Sequence, residues 1–175
     1  ALREVGAKKF MLVCDSSYAF LPTKGLLNPA VVFDQFTPNP LYEDVCKGVG
    51  MFNANGCDAL VAVGGGSTID VAKCIKLYCR MDPSRNYLEQ ECFDSGIPLI
   101  AVPTTAGTGS ESTHYAVIYY EGKKQSVAHA SIVPDYAVLE PMLLKTLPLY
   151  QKKCTMLDAL CQGIESLWSV NSTEE

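Results

Sequence analysis

Short apolar runs rich in β-branched residues alternate with longer stretches of helical period along the first half of the chain. Phe10-Met11-Leu12-Val13-Cys14 reads as a strand and ends at Asp15-Ser16-Ser17, after which a helix is predicted to about Leu27. Val31-Val32-Phe33 is a second strand. Pro38-Asn39-Pro40 then opens a helix through Leu41, Val45, Val49 and Phe52 that stops near Asn55-Gly56. Leu60 to Val63 reads as a third strand, Ser67 to Arg80 as a helix, and Pro98 to Val102 as a fourth strand. The order βαβαβαβ predicts an α/β fold, a mostly parallel sheet with helices on both faces and loops gathered at the carboxyl ends of its strands. Beyond Gly109 the pattern changes. Thr113 to Tyr120 predicts a strand, Glu121 to Lys124 a turn, and Gln125 to Ala128 the hairpin partner. Tyr136 to Leu139 is another short strand. From Lys152 to Val170 the chain reads as a helix with Met156, Ala159, Leu160, Ile164 and Leu167 on one face.

Composition narrows the functional classes. The 175 residues suit about one domain, or one and a fraction, and 48% hydrophobic with 19% charged residues is a globular balance. A net charge of −5 argues against a sequence-independent nucleic-acid binder. No apolar run approaches the ~20 residues that cross a bilayer, and the opening Ala1-Leu2-Arg3-Glu4 does not read as a signal peptide. None of the 8 cysteines forms a CxxC pair, and most sit among apolar neighbours. They read as buried free thiols of a reducing, cytoplasmic setting, with a zinc–cysteine site or a disulfide framework as the alternative.

The candidate chemistry lies where Ala59-Leu60-Val61-Ala62-Val63 runs into Gly64-Gly65-Gly66-Ser67. Three glycines remove every Cβ where the phosphates of a ligand would sit, so backbone N–H groups can come close. Ser67 is expected as the helix N-cap, with Asp70 in the first turn. The run is neither GxGxxG nor a Walker loop. Its bland alternative is a tight turn with no ligand. Pro103-Thr104-Thr105-Ala106-Gly107-Thr108-Gly109-Ser110-Glu111 adds hydroxyls and glycines at the end of the next strand. Such hydroxyls can donate to phosphate or ribose oxygens, or cap their own backbone. With Asp15-Ser16-Ser17 these loops would border one ligand crevice.

On these residues the chain resembles the iron-containing (group III) alcohol dehydrogenase family. Four segments match in order: Pro38-Asn39-Pro40, Gly64 to Lys73, Ile100 to Glu111, and Leu157-Asp158-Ala159-Leu160. The resemblance implies a Rossmann-like dinucleotide-binding α/β domain over residues 1–147. Residues 148–175 would be the start of a truncated helical metal-binding domain. It further implies that Gly65, Gly66 and Ser67, with Asp70 behind them, hold the pyrophosphate of NAD(P), and that Thr104, Thr105, Thr108 and Thr113 line the phosphates and the nicotinamide side. Asn39 matches an asparagine near the adenosine half, Lys124 a lysine that approaches the nicotinamide ribose, and Leu139 a residue packed beside the cofactor. Asp15 ends the first strand, where a carboxylate accepts from ribose hydroxyls and repels a 2′-phosphate; the cofactor is therefore expected to be NAD rather than NADP, unless Asp15 serves only as a helix N-cap.

The family pattern places Asp and His four apart on one helix around a divalent metal, Fe²⁺ or Zn²⁺. This chain has Asp158 and, in place of the histidine, Gln162, a weaker ligand than imidazole. The segment Leu157 to Ser169 is similar to the branch that includes phosphonoacetaldehyde reductases. The implied activity is metal-assisted hydride transfer between a small alcohol and an aldehyde, with no nucleic acid and no membrane involved and a homo-oligomeric state left open. Two rivals remain: a dehydroquinate-synthase-like lyase that also uses NAD and a metal, and a non-catalytic nucleotide-binding module that ends at Glu175.

Overall fold

The computed structural model describes residues 1–22, 24–170 and 172–173. Five parallel strands form the central sheet in the order β2-β1-β3-β4-β7: β1 (Phe10–Cys14), β2 (Val31–Phe33), β3 (Ala59–Gly64), β4 (Leu99–Pro103) and β7 (Tyr136–Ala137). Register is continuous across the carboxyl ends, with Cys14 opposite Val63 and Gly64 opposite Pro103. The β3 run is buried at every position, as a central strand covered on both faces requires.

Side-chain alternation divides the core. Met11, Val13, Phe33, Leu60, Ala62, Leu99 and Ala101 point to the face covered by α1 (Tyr42–Ala54) and α2 (Gly66–Tyr78). Helix α1 contributes Val45, Val49 and Phe52, and α2 contributes Ile69, Ala72 and Ile75. Leu12, Cys14, Val61, Val63 and Ile100 face the other way, against Leu21 and Leu143.

The α/β fold with a parallel sheet is as read, and the cover of the second face is where detail differs. The helix expected from Ser16 to Leu27 is a single 3₁₀ turn, Ser16–Phe20. Leu21 is extended, Pro22 follows, and Gly25 takes a left-handed φ of 82°, so no helical ladder can pass through. Turns and loops, not an α-helix, therefore cover that face.

Three boundaries also shift. Helix α2 starts one residue early: Gly65, extended at φ −80° and ψ −171°, is the N-cap without a side-chain bond. Ser67 is thus inside the first turn and Asp70 just beyond it. The hairpin of β5 (Tyr115–Tyr120) and β6 (Lys123–Ala128) turns on two residues only, Glu121 at φ 49° and Gly122 at φ 72°. Two consecutive left-handed residues match the strand twist, so Lys124 lies in β6 opposite Tyr119 rather than in the turn. Helix α3 (Leu149–Trp168) buries none of its residues. Leu160 and Leu167 stand exposed, as does Trp168 at 81%. The 8 cysteines are all free thiols, but only Cys14, Cys57, Cys74 and Cys79 are buried; Cys161 is exposed on α3. No helix among the described residues is long and apolar enough to cross a membrane.

Candidate functional site

Strand β1 has β2 on one side and β3 on the other, so the connections leave it in opposite directions. Such a reversal opens a crevice at the carboxyl ends of the two central strands, β1 and β3. Asp15 follows β1 there, and Gly64 ends β3 beside it.

The three glycines have separate causes. A Cβ on Gly64 would stand 2.3 Å from Thr68 Oγ1, and one on Gly66 would stand 2.8 Å from Thr108 Cγ2. Contacts within the protein therefore require both. Gly65 is different: its Cβ would reach Thr105 at an ordinary 3.4 Å. It caps α2, whose first intrahelical bond runs from Ile69 N–H to Gly65 O. The N–H groups of Gly66, Ser67 and Thr68 have no acceptor inside the helix, and the helix dipole adds positive potential at the same point.

From this helix end a cleft of about 490 Å³ runs toward α3. Gly66, Ser67 and Asp70 form its floor, with Asn39 and Pro40 on one side. Thr108, Ser110, Thr113 and Lys124 form the far wall, and Asp158 and Gln162 project from α3 across the opening. Asn39 N–H donates to Ser67 Oγ at 3.4 Å, and Asn39 itself sits at φ 59°. The asparagine matched to the adenosine half thus shares its cleft with Lys124.

The other candidates lie outside this cleft. Asp15 caps the 3₁₀ turn, accepting from Ser17 N–H at 2.8 Å, and its second oxygen accepts from Thr68 Oγ1 at 3.2 Å. Thr104 is buried; its N–H donates to Gly64 O at 3.0 Å, and it borders a neighbouring hollow of about 320 Å³ with Ser16 and Ser17. Thr105 and Leu139 border a third hollow of about 240 Å³, where Leu139 is 69% exposed.

A buried polar network fixes the far wall. Asp70 accepts from Ser110 Oγ at 2.7 Å and from Val117 N–H at 3.0 Å. Lys73, fully buried, donates to Ser110 Oγ and Thr113 Oγ1 at 3.2 Å and to Tyr115 O at 2.7 Å. One turn of α2 thereby holds both the hydroxyl loop and the hairpin that bears Lys124. Burial pushes the Asp70 carboxyl above its ordinary value, against the Ser110 and Val117 donors, and pushes the Lys73 ammonium down. Sequence reasoning assigned no role to Lys73, Ser110 or Thr68. A lysine among the apolar residues of Ile69 to Leu77 was the available signal, because a lysine is almost never fully buried without partners.

Asp158 and Gln162 stand four residues apart on α3, so both face the cleft. A carboxylate and an amide carbonyl are hard oxygen donors that suit a divalent ion. Among the described residues no three His, Cys, Asp or Glu side chains converge, so these two would not hold an ion by themselves. Cys14, behind Asp15, is held inert; burial and the carboxylates of Asp34 and Asp15 push its thiol up to about 11.

Comparison with known proteins agrees with this geometry. The family model for iron-containing alcohol dehydrogenases matches residues 1–141. The chain is 41% identical over 138 residues to the probable alcohol dehydrogenase EutG of Escherichia coli (strain K12), covering 77% of this chain and 35% of that protein. It is 34% identical over 187 residues to the NAD-dependent methanol dehydrogenase of Bacillus methanolicus, covering 98% of this chain and 48% of that protein. The chain thus spans less than half the length of these curated relatives. Among solved structures, sulfoacetaldehyde reductase from Bifidobacterium kashiwanohense in complex with NAD⁺ superposes with a TM-score of 0.86 at 30% identity, over 96% of this chain and 48% of that one. Sheet order, glycine helix and hydroxyl loop together with these matches show that the chain belongs to the iron-containing alcohol dehydrogenase family.

Proposed function

We propose that this chain binds NAD across the β1/β3 crevice and supplies the cofactor side of a metal-assisted hydride transfer between a small alcohol and its aldehyde. The observation that carries the reading is the cleft itself. It starts at the free N–H groups of α2, passes Lys124, and ends at the paired oxygen donors of α3.

The diphosphate lies on the N–H groups of Gly66, Ser67 and Thr68, where backbone donors and helix dipole act together. Gly65 admits its close approach, and the hydroxyls of Thr104, Thr105 and Thr108 surround it. Asp15, at the end of β1, accepts from the hydroxyls of the adenosine ribose. It repels a 2′-phosphate, which favours NAD over NADP. Thr113 and Lys124 face the nicotinamide ribose, and Leu139 packs beside the cofactor. Asn39 belongs with Lys124 at this nicotinamide end, since both border one cleft. Asp70 and Lys73 hold the wall and touch no ligand.

Asp158 and Gln162 would contribute two oxygen ligands to a divalent ion, Fe²⁺ or Zn²⁺. Such an ion supplies a Lewis acid that stabilises alkoxide-like charge on the substrate oxygen. The residues of this chain align nicotinamide C4 with the substrate carbon, and no side-chain nucleophile is required. The small aldehydes to test include phosphonoacetaldehyde, for the branch that the α3 sequence resembles.

Titration of the chain with NADH, followed by nicotinamide fluorescence, tests the binding half. Saturable binding that is lost in Gly65→Val supports it, because the added side chain fills the diphosphate position. Absence of NADH binding, or binding indifferent to Gly65→Val, overturns it. Oxidation of NADH with an aldehyde panel and added Fe²⁺ or Zn²⁺, in a protein carrying this chain, tests the redox half. Turnover of a cyclic phosphorylated substrate without net NADH consumption would favour a lyase instead.

A further inference from the structure

Thr68 is 1% exposed and is the third residue of α2; its backbone N–H belongs to the diphosphate site, but its side chain has no part in the binding scheme above. A threonine inside a helix ordinarily turns its hydroxyl back to the carbonyl four residues earlier. For Thr68 that carbonyl belongs to Gly64, and it is already engaged by Thr104 N–H at 3.0 Å. The hydroxyl instead crosses the crevice and donates to Asp15 Oδ2 at 3.2 Å. Its branched side chain occupies the space that a Cβ on Gly64 would need, with Thr68 Cβ only 2.6 Å from that position. Gly64 is therefore the residue that admits Thr68, and Thr68 is the residue that bridges β3's helix to the end of β1.

The bridge sets the orientation of a carboxylate. Ser17 N–H takes one lone pair of Oδ1 at 2.8 Å, and Thr68 Oγ1 takes one lone pair of Oδ2. An ionised carboxylate has about four acceptor sites, two on each oxygen. One acceptor site on each oxygen stays free, which matches the two vicinal hydroxyls of a ribose. We propose that Thr68 is a positioning residue for cofactor discrimination: it locks the Asp15 carboxylate toward the adenosine ribose, so that the 2′,3′-diol is accepted and a 2′-phosphate is refused. The inference rests on the reading that Asp15 meets that ribose. Without the Thr68 bond the carboxylate keeps only its local Ser17 contact and can rotate away from a 2′-phosphate.

The test compares dissociation constants for NADH and NADPH, by fluorescence titration of the full chain, in wild type, Thr68→Val, Thr68→Ser and Asp15→Gly. Valine keeps the shape and loses the donor, and serine keeps the donor. Thr68→Val should lower the NADH-over-NADPH preference about tenfold, the worth of one hydrogen bond to a charged group. Thr68→Ser should hold the preference near wild type. In an Asp15→Gly background Thr68→Val should change the preference no further. A merely structural role would weaken both cofactors equally and lower the melting temperature without moving the ratio, and that result overturns the inference. Should Thr68→Val fail to fold, Thr68→Ala makes the same comparison. If Asp15→Gly changes the ratio and Thr68→Val does not, the positioning role alone is wrong. If Asp15→Gly also leaves the ratio unchanged, or wild type binds neither cofactor, the reading of Asp15 fails and this inference with it.

Discussion

Replacing Lys73 by methionine keeps the aliphatic stem in its packed position and deletes one buried charge. Three acceptors lose their donor: Ser110 Oγ and Thr113 Oγ1 at 3.2 Å, and Tyr115 O at 2.7 Å. The last two stand near the cleft, where water can replace the ammonium at modest cost. Asp70 cannot be compensated so easily. Its oxygens keep the Ser110 and Val117 donors, but its charge loses the attraction of the Lys73 ammonium, which opposes the effect of its burial. Removing one partner of a buried charge pair typically costs about 3–5 kcal/mol. Solvent access at the hairpin edge and the retained donors place Lys73→Met at the low end, about 3 kcal/mol. For a chain of this size each kcal/mol lowers the melting temperature by about 2–4 °C, so the midpoint should fall by about 6–12 °C. Circular dichroism at a helical wavelength follows the melt. Adding Asp70→Asn to Lys73→Met should recover part of the loss, because no buried charge is then left alone. A single variant melting within about 2 °C of wild type would refute the account. So would a double variant whose loss is the sum of the two singles.

The same pair makes stability depend on pH. Because burial raises the Asp70 carboxyl, the folded chain holds that proton more tightly than the unfolded chain. Its contribution is therefore fully present below the unfolded value of about 4 and is lost as pH rises through the folded value. Denaturant titrations of wild type and Asp70→Asn should show a difference that grows over that window; parallel profiles would contradict it. Gly64→Ala sets a methyl group 2.3 Å from Thr68 Oγ1, and this overpacking should cost about 1–3 kcal/mol in a thermal melt. An unchanged melting temperature would show that Thr68 moves aside freely. Asp158→Ala removes one of two oxygen donors and should weaken Zn²⁺ binding by about tenfold or more in a calorimetric titration. Equal affinity would remove Asp158 from the shell.

Much of the fold was legible because β-strands announce themselves over short distances. The apolar runs at Phe10–Cys14 and Ala59–Gly64 are too uniform for a surface element, and the glycines after Val63 mark the exit to a helix. The helix expected after Asp15 failed because Pro22 and the left-handed Gly25 override the propensity of the intervening residues. Lys124 moved from turn to strand because the turn needed just Glu121 and Gly122. The grouping of Asn39 with Lys124 and Asp158 was not legible, since no local pattern says which end of a crevice a loop will reach.

The sequence by itself determined the strands of the parallel sheet, the helices that follow β2 and β3, the glycine turn, the hydroxyl loop and the family, because each depends on residues within a few positions of one another. Only the tertiary structure decided the roles of Thr68, Ser110 and Lys73. Their partners lie tens of residues away in the chain, and a buried polar group becomes tolerable only when a distant donor or acceptor arrives to satisfy it. It also decided that Gly64 and Gly66 are glycines for Thr68 and Thr108, because a missing Cβ acquires a cause only when something else fills its place.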